Sequence, residues 1–213
     1  MSVLSVIAGV IRGGQSAGQD GNVAINSRNE QLTASGLPAY TEMTRLGNGW
    51  SAMNTTALAG LVVRPTTVAN FTVWNGEPQG GKSYVVDRVF CHQLVSTADE
   101  ARFGMWLCMH DHLMAEPTAD ITAFKGHSGK QNYGGAAVAD TGATVVDNGW
   151  FPWGSSVSVE PSGVLPGAQI AVNVEGRLIV PPGAAISTQV VASLVGDEFT
   201  TGVSWYEVQL PLE

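Results

Sequence analysis

Three stretches of the chain carry residue types at spacings that chemistry uses. Gly76-Glu77-Pro78-Gln79-Gly80-Gly81-Lys82-Ser83 fits the phosphate-binding loop pattern letter for letter. That loop works because a following helix aims its N-terminal amides at the phosphates. Here Tyr84-Val85-Val86-Asp87-Arg88-Val89-Phe90 follows, a β-branched run without helical period, so the stretch reads as a hairpin loop between two strands. Gly14-Gln15-Ser16-Ala17-Gly18 fits the hydrolase nucleophile elbow, but it sits in a Gly-, Ser- and Gln-rich stretch with no strand-to-helix turn around it. His110-Asp111-His112 has more substance. Positions i and i+2 of a strand share a face, so both imidazoles can reach one metal ion, with Glu116 close behind.

Around those histidines, Gly104, His110, His112 and Glu116 fall in the Gly-x5-His-x-His-x3-Glu order. This resembles the first sequence motif of the cupins, jelly-roll barrels that hold a metal inside. Gly176 to Ile186 resembles the second cupin motif, with Ile186 at the position of the third histidine and Ala123 where the first motif closes on Gly. His110, His112 and Glu116 are therefore candidate ligands of an incomplete set, with His92 or His127 as conceivable substitutes. The expectation is no metal and no cofactor. Asp99-Glu100 and Asp197-Glu198 lie among turn formers and read as solvated turns, so no catalytic residue is assigned.

These residues sit in a chain whose composition narrows the function classes. Of 213 residues only 13% are charged, 44% are hydrophobic, and the formal net charge is −8. No cluster of Lys and Arg offers a phosphate-binding surface, which excludes nucleic acid as the expected partner. The apolar stretch Val3 to Ile11 has no basic residue before it and is too short to span a bilayer, so no membrane association is expected. Asn54-Thr55-Thr56 and Asn70-Phe71-Thr72 match the glycosylation pattern. Cys91 and Cys108 read as two buried thiols.

Strand signals dominate the organisation. Runs rich in β-branched and aromatic residues occur at 57–63, 68–74, 84–95, 103–110, 143–146, 156–159, 169–174, 177–180, 188–195 and 203–210. Turn formers such as Asn75-Gly76, Gly134-Gly135 and Pro181-Pro182-Gly183 separate them. One short helix is expected from Pro38 to Leu46, stopped by Gly47. The pattern predicts an all-β fold: an antiparallel β-sandwich of jelly-roll type with one short N-terminal helix. Residues 1–36 read as a flexible Gly-rich arm, 37–213 as a single jelly-roll domain, and 126–142 as a long surface loop.

Two strands are apolar on both faces. In 103–110, Phe103, Met105, Leu107 and Met109 alternate with Gly104, Trp106, Cys108 and His110. In 84–95, Val85, Val89 and Cys91 are expected on one face and Tyr84, Val86, Phe90 and Leu94 on the other. An antiparallel sandwich normally turns one face to water, so the reading is that a neighbouring subunit or the arm covers the outer face. A closed barrel with bulky strands is the other reading.

Leu37-Pro38-Ala39-Tyr40, Arg45-Leu46-Gly47, Val73-Trp74-Asn75, Gly81-Lys82-Ser83, Gly176 to Gly183 and Ser204-Trp205-Tyr206-Glu207 together give the chain its style. In these it resembles the small jelly-roll virion structural proteins of tailed phages, the head decoration, head-fibre or capsid-associated class. The resemblance implies a non-enzymatic capsid protein, assembled into the virion in the host cytoplasm. Its partners would be itself, as a homo-oligomer with a trimer favoured, and other capsid proteins. Such a protein acts by burying apolar and aromatic surface, roughly 1,600 Å² for specific association. Trp150, Phe151 and Trp153, bounded by Gly149, Pro152 and Gly154, read as a loop cluster suited to an interface, with Trp106 as a further contact. The alternatives are a cupin-like metal-dependent enzyme using His110, His112 and Glu116, and a carbohydrate- or receptor-binding sandwich stacking sugars on Trp150 and Trp153.

Overall fold

The computed structural model describes residues 40–95, 100–111, 115–118, 121, 124–128, 133–145, 148–159, 168–174 and 176–210. The chain divides into two compact units, Met1–Thr41 and Glu42–Glu213, and the described strands all belong to the second. The sequence-predicted arm, 1–36, and the Ser16 elbow lie outside the described residues.

After a short helix α1 (Thr41–Arg45) come β1 (Gly49–Met53), β2 (Leu58–Ala59), β3 (Phe71–Asn75), β4 (Lys82–Val95), β5 (Glu100–His110) and β6 (Lys125–Gly126). These are followed by β7 (Ala137–Thr141), β8 (Phe151–Val159), β9 (Gln169–Asn173), β10 (Ile179–Val180), β11 (Ala185–Ala192) and β12 (Glu198–Gln209). Helix α1 stops where expected. Gly47 adopts φ +83°, a conformation costly for any residue with a Cβ, and its N–H bonds the Thr44 carbonyl while that of Asn48 bonds Met43.

Two antiparallel sheets pack face to face. One runs β10–β4–β12–β1–β6, with β9 beside β10 on the β4 edge and β2 beside β1 on the β12 edge; the other runs β7–β3–β11–β5–β8. The long-range pairing is nested. β1 pairs β12, β3 pairs β11, β4 pairs β9 and β5 pairs β8. That is one long antiparallel ribbon folded in half and rolled, the jelly roll, and it bears out the all-β sandwich expected from the strand pattern.

Alternation builds the core. Phe71 and Val73 of β3, Phe103, Met105 and Leu107 of β5, and Ile186 and Val190 of β11 turn inward against Val89 and Cys91 of β4 and Val203 and Trp205 of β12. The β4 faces differ from expectation. The β4–β12 register slips between Ser204 and Trp205, leaving Asp87 as an extra residue between Val86 and Arg88. A bulge reverses strand parity, so Tyr84 and Val86 share the inner face with Val89 and Cys91. The Asp87 carbonyl accepts from Val174 N–H, at the point where β9 gives way to β10 along this edge.

Other boundaries are corrected as well. Gly76 to Gly81 is not a hairpin loop: it carries the chain from β3 in one sheet to β4 in the other. The stretch 126–142 is not only loop, since Ala137–Thr141 forms an edge strand on β3. Phe151 and Trp153 belong to a strand rather than a loop, and a register slip makes Trp153 the bulged residue, opposite the gap between Met105 and Trp106.

The outer face of β3–β11–β5 is covered by the chain itself, which corrects the expectation of a neighbour or arm there. Beyond the β3–β7 pair the ribbon continues, with Val68 bridging Thr144, Ala69 N–H bonding Ala143 O and Val145 N–H bonding Thr67 O. Ala69, Ala143, Val145 and Trp150 form a second small core with Cys108, flanked by Trp106. Gln189 fastens it by donating from Nε2 to Val68 O at 3.0 Å.

Candidate functional site

His110 ends β5, and the register of β5, β11 and β3 brings three more polar side chains to it. Ser187 of β11 stands opposite both Cys108 and Thr72, and alternation sends Thr72, Cys108, His110 and Ser187 to the same covered outer face. His110 Nε2 and Ser187 Oγ share a hydrogen bond of 2.7 Å, and Ser187 Oγ continues to Thr72 Oγ1 at 2.8 Å. On the ring's other side, Nδ1 lies 3.8 Å from Cys108 Sγ. Trp150 meets the imidazole edge-on with centroids 6.3 Å apart. Only 8% of His110 is exposed, and Cys108, Ser187 and Thr72 are fully buried. The polar line is hydrogen-bonded along its length, as burial requires.

Two main-chain anchors hold the cover over this line. Arg64 donates through Nη2 to the carbonyls of Asn148, at 2.7 Å, and Trp150, at 3.3 Å. The guanidinium is exposed while Trp150, 3% exposed, is tucked beneath. A ring so placed is a lid, and cannot serve as a sugar-stacking platform without first swinging out. Phe151 and Trp153 are half-buried, 5.8 Å apart edge to face, and pack on the main core. Trp106 is half-buried beside the second core.

The cupin pattern does not carry over in geometry. Cupin ligands converge inside the barrel, whereas His110 faces outward from its sheet and Ile186 points into the main core. Glu116 is exposed, and His112 lies outside the described residues. His92 is on β4 of the other sheet beside Phe90, and His127 lies against Tyr206 of β12. Among the described residues, no group of three or more His, Cys, Asp or Glu side chains is placed to hold a metal ion.

A second polar cluster sits on the inner face between the sheets, at the end where β4 begins and β12 ends. Glu207, paired opposite Tyr84, is buried and takes Lys82 Nζ at 3.0 Å on Oε2 and Tyr133 O–H at 2.9 Å on Oε1. Tyr133 and Tyr84 hydroxyls lie 3.2 Å apart, and Ala137 N–H donates to Tyr133 Oη at 2.7 Å. Burial first, then the neighbouring Tyr133 phenol and after it Glu207 and Glu77, pushes the Tyr84 phenol far above its ordinary range, and burial does the same to Tyr133. Lys82, the lysine of the phosphate-loop pattern, is thus committed to a carboxylate. The preceding loop is closed by Gly81 N–H on Pro78 O and by Asn75, whose Nδ2 donates to the carbonyls of Lys82 and Val180. No sequence pattern singled out Tyr133 or Glu207. The available signal was parity, since Val203, Trp205 and Glu207 alternate inward and a carboxylate at that position needs partners.

Exposed aliphatic side chains gather at the opposite end of the sandwich. Val62 and Val63 follow the bridge that seats Leu61 beside Val191. Leu94 and Val95 close β4, and Val195 occupies the turn between β11 and β12, with Val63 65% and Val195 80% exposed. The pairing of Val95 with Glu198 puts Leu94, Val95 and Val195 at this end, and the Val62–Val63 segment sets out from it at the Leu61–Val191 bridge. The asparagines of both glycosylation patterns are buried. Asn54 spans the β1–β12 corner, donating to Thr56 O and Phe199 O and accepting from Thr201 N–H, and Asn70 accepts from Val190 N–H. Of the acidic pairs, Asp197 is buried rather than solvated, and Asp99 lies outside the described residues.

The chain matches no protein-family model, no curated protein and no solved structure.

Proposed function

We propose that this protein is a non-enzymatic structural protein of a virion, a capsid decoration or capsid-associated jelly roll that assembles with copies of itself. The observation that carries the reading is the exposure of five aliphatic side chains, Val62, Val63, Leu94, Val95 and Val195, of which Leu94, Val95 and Val195 share one end of the sandwich. Monomeric proteins seldom leave so many aliphatic side chains in water together, and burying such a patch is the main favourable term in association. The low charge content supports it, since interface cores are poor in charge. The His110 line supports it in another way: its hydroxyls are occupied by one another beneath a lid, an arrangement suited to holding a sheet together.

Native mass spectrometry of the tag-free protein tests the reading. A defined oligomer, with a trimer favoured, is the expected result, reduced to monomer by Val63→Asp and Val195→Asp. A wild-type chain that stays monomeric at every concentration overturns it.

A further inference from the structure

We infer that Asn148–Gly149, beside the Trp150 lid, is a self-modification site, where the Asn148 carboxamide converts to isoaspartate with the Arg64 guanidinium as electrostatic donor. Three Asn–Gly pairs occur in the sequence, at 48–49, 75–76 and 148–149. Glycine carries no Cβ, so its amide nitrogen can close on the preceding asparagine's Cγ in a five-membered ring. The fold separates the three pairs. Asn75 is buried, its Nδ2 bound to the carbonyls of Lys82 and Val180 and its Oδ1 to Glu77 N–H, while Gly76 N–H is engaged by Ala136 O. Gly49 is buried at the start of β1, with the Asn48 N–H and carbonyl held by Met43 and Glu207. Asn148 and Gly149 are both exposed and lie outside any strand.

What singles out this pair further is the donor on its carbonyl. Arg64 Nη2 lies 2.7 Å from Asn148 O and 3.3 Å from Trp150 O. When hydroxide removes the Gly149 amide proton, the negative charge moves onto Asn148 O, where a permanently charged guanidinium already stands. The donors on Asn48 O and Asn75 O are neutral main-chain amides, from Glu207 and Gly183. A charged donor makes a hydrogen bond roughly twice as strong as a neutral one.

Water is the only co-reactant. The Gly149 nitrogen bonds to Asn148 Cγ and the side-chain nitrogen leaves as ammonia, which gives a cyclic imide. Water then opens the imide at one of its two carbonyls. Opening at the side-chain carbonyl gives aspartate, and opening at the main-chain carbonyl gives isoaspartate. Arg64 polarises the main-chain carbonyl, so isoaspartate dominates. Its free carboxylate is the former main-chain one and stays beside Arg64, while the backbone running to Gly149 gains a methylene. That lengthening falls between the two carbonyls that Arg64 clamps, so modification loosens the hold on Trp150.

Peptide mapping by mass spectrometry after incubation in warm native buffer is the test, with isoaspartate told from aspartate by fragmentation. In folded wild type, which needs no variant, Asn148 converts while Asn48 and Asn75 stay amides; in urea all three convert. Arg64→Ala slows Asn148 conversion about tenfold, a smaller factor than for a donor in a dry site because this guanidinium is exposed. It also lowers the isoaspartate share to that of the urea-unfolded chain. Were Arg64 only a clamp, its removal would free the segment and speed conversion. The inference is overturned by an Asn148 that stays an amide in the folded protein, or by conversion of Asn48 or Asn75 at the same rate. It is equally overturned by a rate or an isoaspartate share that does not fall in Arg64→Ala.

Discussion

Thr188 Oγ1 donates a 2.9 Å hydrogen bond to Thr201 Oγ1, and this contact joins the two sheets. Both hydroxyls are fully buried, on β11 and β12. Replacing Thr188 by Val strands the Thr201 hydroxyl and is expected to cost about 1–3 kcal/mol. Adding Thr201→Val removes the orphan and recovers part of that loss. Urea denaturation of both singles and the double, read as a cycle, checks it, and strictly additive losses would refute it.

A second prediction concerns Gly202, at the centre of β12. A Cβ there would lie 2.6 Å from the Ala52 carbonyl and closer still to the Phe90 ring, which fills the space a side chain would take. Gly202→Ala is expected to destabilise by about 1–3 kcal/mol or more, through overpacking against backbone that cannot retreat. Phe90→Ala in the same chain relieves the ring clash but not the carbonyl clash, so thermal melting should show incomplete rescue.

How far this fold could be read in advance turns on which side chains announce themselves. Phe103 to His110 was legible because large apolar residues alternate over eight positions. Ala137–Thr141 was not: Ala, Val, Ala, Asp and Thr carry little hydrophobic signal, and small residues permit close approach without advertising it. The bulge at Asp87 was equally silent, and it inverted half of β4. Nearest the candidate site, His110 stood out by its spacing to His112, but its partner Ser187 lies 77 positions away and only the sheet register unites them. The self-made cover over that face is long-range for the same reason, which is why a foreign one was expected.

Alkaline pH should expose the buried phenols. Tyr84 and Tyr133 are raised in the folded state, so their contribution is intact below the unfolded phenol value near 10 and declines above it, as unfolding comes to release protons. The expected slope is about 1.4 kcal/mol lost per pH unit for each phenol that stays protonated in the fold. Cys91, also raised by burial, adds to the slope over the same interval, so urea midpoints are measured from pH 9 to 11 in Cys91→Ser, where Tyr133→Phe should roughly halve what remains. A flat profile across that interval would refute the buried pair.

The lid makes its own prediction. Arg64→Ala removes both anchors on Asn148 and Trp150 and should let the cover open more often. Labelling with an aromatic disulfide reagent in native buffer would then modify one thiol per chain faster than in wild type, with Cys91 staying inert in the main core. Mass mapping of the label to Cys108 confirms it; label on Cys91 alone would rule the lid out.

Nested pairing has a consequence for how the molecule comes to be made. β12 lies between β4 and β1 in its sheet, yet of the described strands it is the last to leave the ribosome. Until it emerges, β4 and β1 have open edges facing a gap, with no local partner to fill it. At about 5–20 residues per second that interval lasts for seconds, during which the nascent chain resembles an aggregation-prone intermediate. A chain that stalls before Glu198 therefore loses its keystone strand, and both remaining edges become templates for pairing with another unfinished copy.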